Sequence, residues 1–387
     1  MARIKAALAN VAVMAVSLGI AALLCEAGAR LVLDPADYLS VTTEKDDVLG
    51  IRIAGGTPGF DAWGFRNTAV PATADVVAIG DSHTYGNNAK MSEAWPAVAA
   101  QETRLSVYNL GLGGYGPNQY YQLLKTRGLG LKPRFVVAGL YLGDDFENAF
   151  LMTYGMPAWS SLRTATFSGV DADIWQDAPE AGGPFVGARN WLSRKSIVYR
   201  VAVHGPLLGA VKGAMQINRA ASGQDPQTTT LSVPAEKITE AFRPLGIRDR
   251  LNQKSPAVQE GMRVTFELLA RMNALCREHN AQLVVVVIPT KETVFAEYLR
   301  KDPNLHLRPV IDDLIENEKA ATAKLTAFLA SQSIPQIETL AALRRGVSNQ
   351  LYTRSDRDMH PARNGYKVIG DEVARFLSSA TRTHAGR

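Results

Sequence analysis

Cysteine is nearly missing: 387 residues hold two, Cys25 and Cys276. The first lies in an apolar amino-terminal run and the second in a helical pattern far downstream, so the fold does not rest on disulfides. No CxxC or HExxH pattern occurs, which removes the usual zinc frameworks; no metal or other cofactor is expected. No run of Lys or Arg concentrates the formal charge of +5, which argues against nucleic acid as a partner. An internal repeat and a low-complexity tract are both lacking, so neither a solenoid nor a disordered chain is indicated. Beyond Arg30, the segment Ser196 to Gln216 is apolar, but Arg200, His204 and Lys212 make it too polar for a membrane span.

The amino terminus is different. Ala6 to Cys25 runs for twenty residues without a charge, after Arg3 and Lys5 and before a net acidic stretch, Glu26 to Asp47. Such a run spans the hydrocarbon core of a bilayer, and the Lys/Arg bias sets the amino terminus in the cytoplasm and the rest outside it. A cleaved signal peptide, cut near Ala27-Gly28-Ala29, is the rival reading. Leu24 is too bulky for a lipoprotein site at Cys25. The expectation is an uncleaved anchor over residues 1–30, with Glu26 and Arg30 paired on the first exported turn.

Residues 31–73 are rich in Asp, Thr, Gly and Pro and read as a linker and extended approach. From residue 74 strands and helices alternate. Val76 to Ile79, Leu105 to Leu110, Arg134 to Leu142, Gln282 to Ile288 and Ile334 to Glu338 read as strands. Glu93 to Arg104, Pro117 to Arg127, Ala257 to His279, Val310 to Ser331 and Ala362 to Ser378 read as helices. This alternation predicts an α/β domain over 74–380 whose parallel sheet is covered on both faces. The rhythm is lost over about 150–255, which reads as an insertion. Its segment Ser196 to Gln216 is taken as a packed helix, with a lid or a membrane-facing helix as alternatives.

The rest of the chain is organised around Ala74 to Gly86, ADVVAIGDSHTYG. An apolar run ending in Gly80-Asp81-Ser82 places Ser82 at the carboxyl edge of a buried strand, where open α/β sheets bind ligands. A serine there is either a nucleophile or a cap for the next helix. Gly111-Leu112-Gly113-Gly114-Tyr115-Gly116 has the G-x-G-x-x-G spacing, but no acidic residue follows at the distance a dinucleotide ribose needs. Backbone N–H groups facing a reacting carbonyl are a better use for it. Of six histidines, His360 stands out as a candidate base because Asp358 and Asp356 precede it in a loop and a carboxylate so placed orients an imidazole. His83 neighbours Ser82, yet adjacent residues seldom point the same way.

Three blocks now make a resemblance. Gly80-Asp81-Ser82-His83-Thr84-Tyr85-Gly86, Asn109 to Gly116, and Asp358-Met359-His360-Pro361 resemble the conserved blocks of the SGNH (GDSL) hydrolases, in the right order. Gly64-Phe65-Arg66 and Ile288-Pro289-Thr290-Lys291 resemble elements of the bacterial membrane-anchored branch, which includes polysaccharide O-acetylation proteins. The resemblance implies a flavodoxin-like three-layer α/β/α sandwich. It implies Ser82 as nucleophile, His360 as general base and Asp358 as its orienting carboxylate, with Asp356 in reserve, since position 357 is Arg. Ser82 and Gly114 N–H groups would form an oxyanion hole. The family's third donor is an Asn where this chain has Asp144; an ionised Asp144 repels an oxyanion and a protonated one donates to it, while Asn148 is a possible substitute. The implied activity is a membrane-anchored serine esterase on O-acyl glycan or small esters, in the inner membrane with its domain in the periplasm. The alternatives are an O-acyltransferase partnered by a membrane-bound O-acyltransferase, and a degenerate glycan-binding scaffold.

Overall fold

The computed structural model describes residues 2–167, 185–204, 211, 214–215, 226–303, 305, 307–355 and 358–385. Asp356 and His306 therefore lie outside the described residues, as does much of the segment 196–216.

The chain opens with one long helix, Ala2–Val32, whose apolar part, Leu8–Val32, is long and apolar enough to cross a membrane. Glu26 and Arg30 do pair, at 2.8 Å. Residues 31–73, expected as a linker, are instead folded onto the domain. β1 (Thr43–Asp46) and β2 (Gly50–Ile53) form an antiparallel hairpin, and Leu49, Ile53 and Phe65 join the main core. Tyr115 Oη and Gln119 Nε2 donate to the carbonyls of Ile51 and Leu49 at 2.8 and 3.1 Å. Sequence pattern missed this because the anchoring groups are backbone carbonyls, which carry no residue signature.

Then come β3 (Val76–Gly80), β4 (Val107–Asn109) and β5 (Phe135–Tyr141). A second hairpin of β6 (Thr229–Val233) and β7 (Ile238–Phe242) follows, and then β8 (Gln282–Ile288) and β9 (Gln336–Glu338). Five of these form one parallel sheet in the order β4-β3-β5-β8-β9. Every residue of β3 and β5 is buried, which is why their apolar runs do not alternate. Counted along the chain the five strands run 2-1-3-4-5, the flavodoxin-like order.

Helix Trp95–Thr103 carries the chain from β3 to β4, whereas Pro117–Thr126 and Pro256–Glu278 carry it back the other way to β5 and β8. Right-handed crossovers made in opposite directions lie on opposite faces. Accordingly, Trp95–Thr103 packs with the last helix, Arg363–Ala385, while Pro117–Thr126 and Asp145–Gly155 pack with Pro256–Glu278. The result is three layers. Cys276 is buried among them, which pushes its thiol up to about 12.

Gly261 marks the crossing of Pro256–Glu278 and Asp145–Gly155, where a Cβ would overlap the Phe146 carbonyl oxygen. Gly261→Ala is therefore expected to destabilise the fold by an overpacking cost of about 1–3 kcal/mol, read as a lower thermal midpoint. An unchanged melt would mean that the helices have slack there.

Within the insertion, the short helices Val186–Lys195 and Ile197–His204 pack on each other, and Ile197–His204 packs on the amino-terminal helix. Val186–Lys195 buries no residue; in the segment Ser196 to Gln216, expected as a packed helix, Ile197–His204 is helical with Ile197 buried, and much of the rest lies outside the described residues.

Candidate active site

β3 ends at Gly80, and the chain turns into one helical turn, Ser82–Tyr85. Its cap is Asp81, whose Oδ1 accepts the His83 N–H at 2.8 Å. The capping role that sequence left open for Ser82 thus belongs to its neighbour.

Ser82 Oγ lies 2.7 Å from His360 Nε2, and His360 Nδ1 lies 2.8 Å from Asp358 Oδ1. The same carboxylate oxygen accepts the His360 backbone N–H at 3.0 Å. This double contact explains the two-residue spacing: a carboxylate at that offset reaches the backbone and the ring of the histidine together. Asp81 and His83 repeat the arrangement, with Asp81 Oδ2 2.9 Å from the ring Nδ1. Asp358 Oδ2 is held by Asn88 Nδ2 at 2.6 Å. Burial alone would raise the Asp358 pKa, but the hydrogen bonds and charge of His360, with the Asn88 bond, outweigh it and hold it at about 2. An ionised Asp358 fixes the proton on Nδ1 and leaves Nε2 to accept the serine proton.

His83 is stacked on Tyr141, ring centroids 3.9 Å apart, and its ring lies 4.9 Å from that of His360. Its burial lowers its pKa in spite of the Asp81 carboxylate.

The glycine loop flanks Ser82 from the β4 side. Leu112 N–H donates to the Gly80 carbonyl at 3.2 Å, and a Cβ on Gly113 would sit 3.8 Å from Ser82 Cβ. Gly114 has φ +80°, a conformation that favours glycine. Asp144 lies just beyond β5, at the start of the helix Asp145–Gly155. Its Oδ1 is buried and has no hydrogen-bond partner among the described residues. Burial, and then the charge of Asp81, raise its pKa well above the carboxylate range. Asp145 is raised likewise, by burial and then Asp81, although Tyr120 Oη and Tyr141 N–H donate to it at 2.7 and 2.8 Å. Three buried carboxyls cannot all ionise side by side. Burial opposes the Asp81 charge too, but the charge of His83 and then its hydrogen bonds hold the Asp81 pKa down. Burial and the Asp81 charge thus favour the protonated, donating form of Asp144 over the repelling carboxylate that its residue type suggested. Asn148 packs against Gly116, at the last residue of the glycine loop.

Two clamps hold the loops that carry these groups. Arg66 is 4% exposed; it bonds Asp37 at 2.7 Å and the carbonyls of Gly86 and Ala89 at 3.0 and 2.9 Å, fixing the loop that presents Asn88. Lys291 bonds Glu240 at 2.7 Å and the carbonyls of Ala241, Thr353 and Ser355 at 3.1, 3.2 and 3.4 Å, fixing the approach to Asp358. Both partners of the Lys291–Glu240 pair are 3% exposed. Lys291→Met is therefore expected to destabilise by about 3–5 kcal/mol, with much of the loss recovered when Glu240→Met is added, since an unpaired buried charge costs more than an apolar pair. Denaturant titration of the singles and the double checks this; a double no better than the single would refute it.

A pocket of about 270 Å³ opens beside Asp358 and Met359, walled by Phe242, Ile247, Arg243, Arg250 and Glu292. Burial pushes Glu292 up to about 7, and its Oε2 has no partner among the described residues. A larger cavity of about 750 Å³ along the helix Arg308–Ser331 includes none of Ser82, Asp358 and His360. Among the described residues no group of three or more His, Cys, Asp or Glu is placed to hold a metal ion.

Sequence reasoning did not find Asn88, Glu240 or the Asp81–His83 pair. For Asn88 a signal existed: it follows Gly86 and Asn87 and has φ +64°, which Asn tolerates in turns. Glu240 had none, because its partner is 51 positions away.

No family model matches the chain. It is 27% identical over 139 residues to the "Probable alginate O-acetylase AlgJ" of Pseudomonas putida; the match covers 36% of this chain and 31% of that protein. Among solved structures it is similar to a GDSL-like lipase from Bacteroides thetaiotaomicron, at 12% identity and a TM-score of 0.35, covering 79% of this chain and 88% of that one. It is also similar to a catalytic mutant of the acetylxylan esterase Axe2 from Geobacillus stearothermophilus, at 9% identity and a TM-score of 0.37, covering 79% and 95%. With TM-scores below 0.5 these likenesses carry no weight for function, which has to be read from the chain's own side chains.

Proposed function

We propose that this chain is a serine esterase or acyl-transfer enzyme, held in a bacterial inner membrane by helix Ala2–Val32 with residues 74–380 in the periplasm. The observation that carries the reading is the unbroken relay Ser82–His360–Asp358, with contacts of 2.7 and 2.8 Å. Ser82 Oγ attacks the ester carbonyl while Nε2 of His360 takes its proton, and Asp358 stabilises the imidazolium. The tetrahedral oxyanion is met by the N–H groups of Ser82 and Gly114 and by the carboxylic acid of Asp144. As the intermediate collapses, His360 returns the proton to the departing alcohol, leaving an acyl-serine. Water or a sugar hydroxyl, deprotonated by His360, then takes the acyl group.

O-acyl glycans are the proposed substrate class, since a membrane tether favours polymers that emerge at the membrane. Transfer has one further support, the partial likeness to an alginate O-acetylase; a membrane-bound O-acyltransferase is the partner that such a role needs. The scaffold alternative drew its support from an ionised Asp144, and the upward shift of that group's pKa by burial and the Asp81 charge speaks against it.

The test uses the detergent-solubilised full chain with an acetylated aryl ester. A hydrolase turns over steadily, whereas a transferase gives a single burst of acyl-serine that clears only when glycan is added. No burst, no turnover and no labelling of Ser82 by a fluorophosphonate would leave the scaffold reading. Asp358→Asn is expected to lower kcat about 10³–10⁴-fold with the fold intact, because the amide permits the wrong histidine tautomer. A loss below tenfold would take Asp358 out of the relay.

A further inference from the structure

The helices Val186–Lys195 and Ile197–His204 meet the amino-terminal helix at one point. Glu26 accepts hydrogen bonds from Ser196 Oγ, Ile197 N–H and Val198 N–H at 2.9, 3.0 and 3.1 Å, closing the start of the second helix. Arg30 Nη2 donates to the Lys195 carbonyl at 2.6 Å, closing the end of the first. Further along, Ser40 N–H bonds the Ser193 carbonyl and Arg200 Nε the Tyr38 carbonyl, at 2.9 and 2.7 Å. The elbow between the two helices is therefore pinned to the anchor at Glu26, the first charge after the twenty uncharged residues Ala6 to Cys25. At 1.5 Å per residue that run is about 30 Å long, the thickness of the hydrocarbon core. Glu26, and the elbow with it, sits where the anchor leaves the lipid.

The outer side of this elbow is apolar and basic. Phe185, Trp191, Val198 and Val201 are 81%, 61%, 36% and 37% exposed, while Ile197 alone is fully buried against the protein. Residues 185–204 include Arg189, Arg194, Lys195 and Arg200 and no Asp or Glu. Exposed Trp and Phe among cations, without acids, is the composition of helices that lie in the headgroup region of a bilayer.

We propose that residues 185–204 are a membrane-surface element that seats the domain on anionic phospholipid beside its own anchor. This rests on the reading of Ala2–Val32 as a membrane anchor and extends it from a tether to a fixed docking. Lipid is favoured over a protein partner because the patch is continuous with the anchor's exit point and its charge is of one sign, matching phosphate headgroups. A domain pinned this way does not swing freely on residues 33–42.

The experiment uses the full chain reconstituted in phosphatidylcholine–phosphatidylglycerol vesicles with acyl chains brominated near the headgroup or near the bilayer centre. Tryptophan emission is expected to be quenched, more by the shallow bromines, and the quenched component to vanish in Trp191→Phe. That exposed site tolerates the change, and the remaining tryptophans report folding. Quenching that is absent, or unchanged in Trp191→Phe, while the protein resists alkaline carbonate extraction, overturns the docking and keeps the anchor. The patch would then belong to a protein partner or a second copy. Extraction of the protein by carbonate overturns the anchor reading and the docking with it.

Discussion

Replacing Ser82 with alanine is expected to bring ester turnover to the background rate, a loss on the order of 10⁶-fold in kcat if the relay acts as one unit. The argument is geometric. Ser82 Oγ faces Nε2 of His360 at 2.7 Å, and the other group on that nitrogen among the described residues, Asn87 Nδ2 at 3.4 Å, is an amide and no nucleophile. His360→Ala should fall nearly as far, and the double Ser82→Ala/His360→Ala no further than the single, because a nucleophile without its base and a base without its nucleophile are equally idle. Additive losses in the double would show that the two act separately. Ser82 is 7% exposed and replacing its hydroxyl leaves no buried charge, so the variant should melt with the parent.

The second large effect concerns Asp144. Removing its donor with Asp144→Leu is expected to cost about 10²–10³ in kcat, the usual loss for one oxyanion-hole group. Asp144→Asn should keep activity near the parent at neutral pH, because an amide donates as a protonated acid does. The two differ with pH, and the sign follows from the direction of the shift. The Asp144 pKa is raised by burial and by Asp81, so the donor is present below that raised value. It is lost as pH climbs through it, when a carboxylate facing the oxyanion appears instead. Asparagine has no such transition. The kcat/KM profile of Asp144→Asn should therefore extend further into alkali than that of the parent. Superimposable alkaline limbs would mean that Asp144 either does not titrate there or does not meet the oxyanion.

Asp144 also shows where reading a sequence stops. An aspartate in place of the expected asparagine looked like a defect because residue type gives an ordinary carboxylate, ionised at neutral pH. Its state depends first on the loss of water around it and then on a neighbour in space, Asp81 from the end of β3. The same limit applies to Glu240, which no sequence pattern singled out and which is found buried against Lys291, 51 positions away. Residues 31–73 looked like a linker for a similar reason: they are held by backbone carbonyls and by scattered side chains such as Arg66 and Asp61.

What the sequence determined by itself was whatever local chemistry dictates. Runs of Val and Ile without alternation require strands buried on both faces. Glycine after such a run requires a turn at the sheet edge, an aspartate two before a histidine can reach both its ring and its backbone, and twenty uncharged residues fit the thickness of a bilayer. Tertiary structure decided the rest. The 2-1-3-4-5 strand order puts the loops after β3, β4 and β5, which carry residues 82, 114 and 144, at one sheet edge, and the last loop returns residue 360 to Ser82. Which carboxyls keep their protons, and which exposed helices lie beside the amino-terminal helix, depend on distances between segments remote in the chain. Desolvation and Coulomb energy act through space, and a linear pattern holds no record of them.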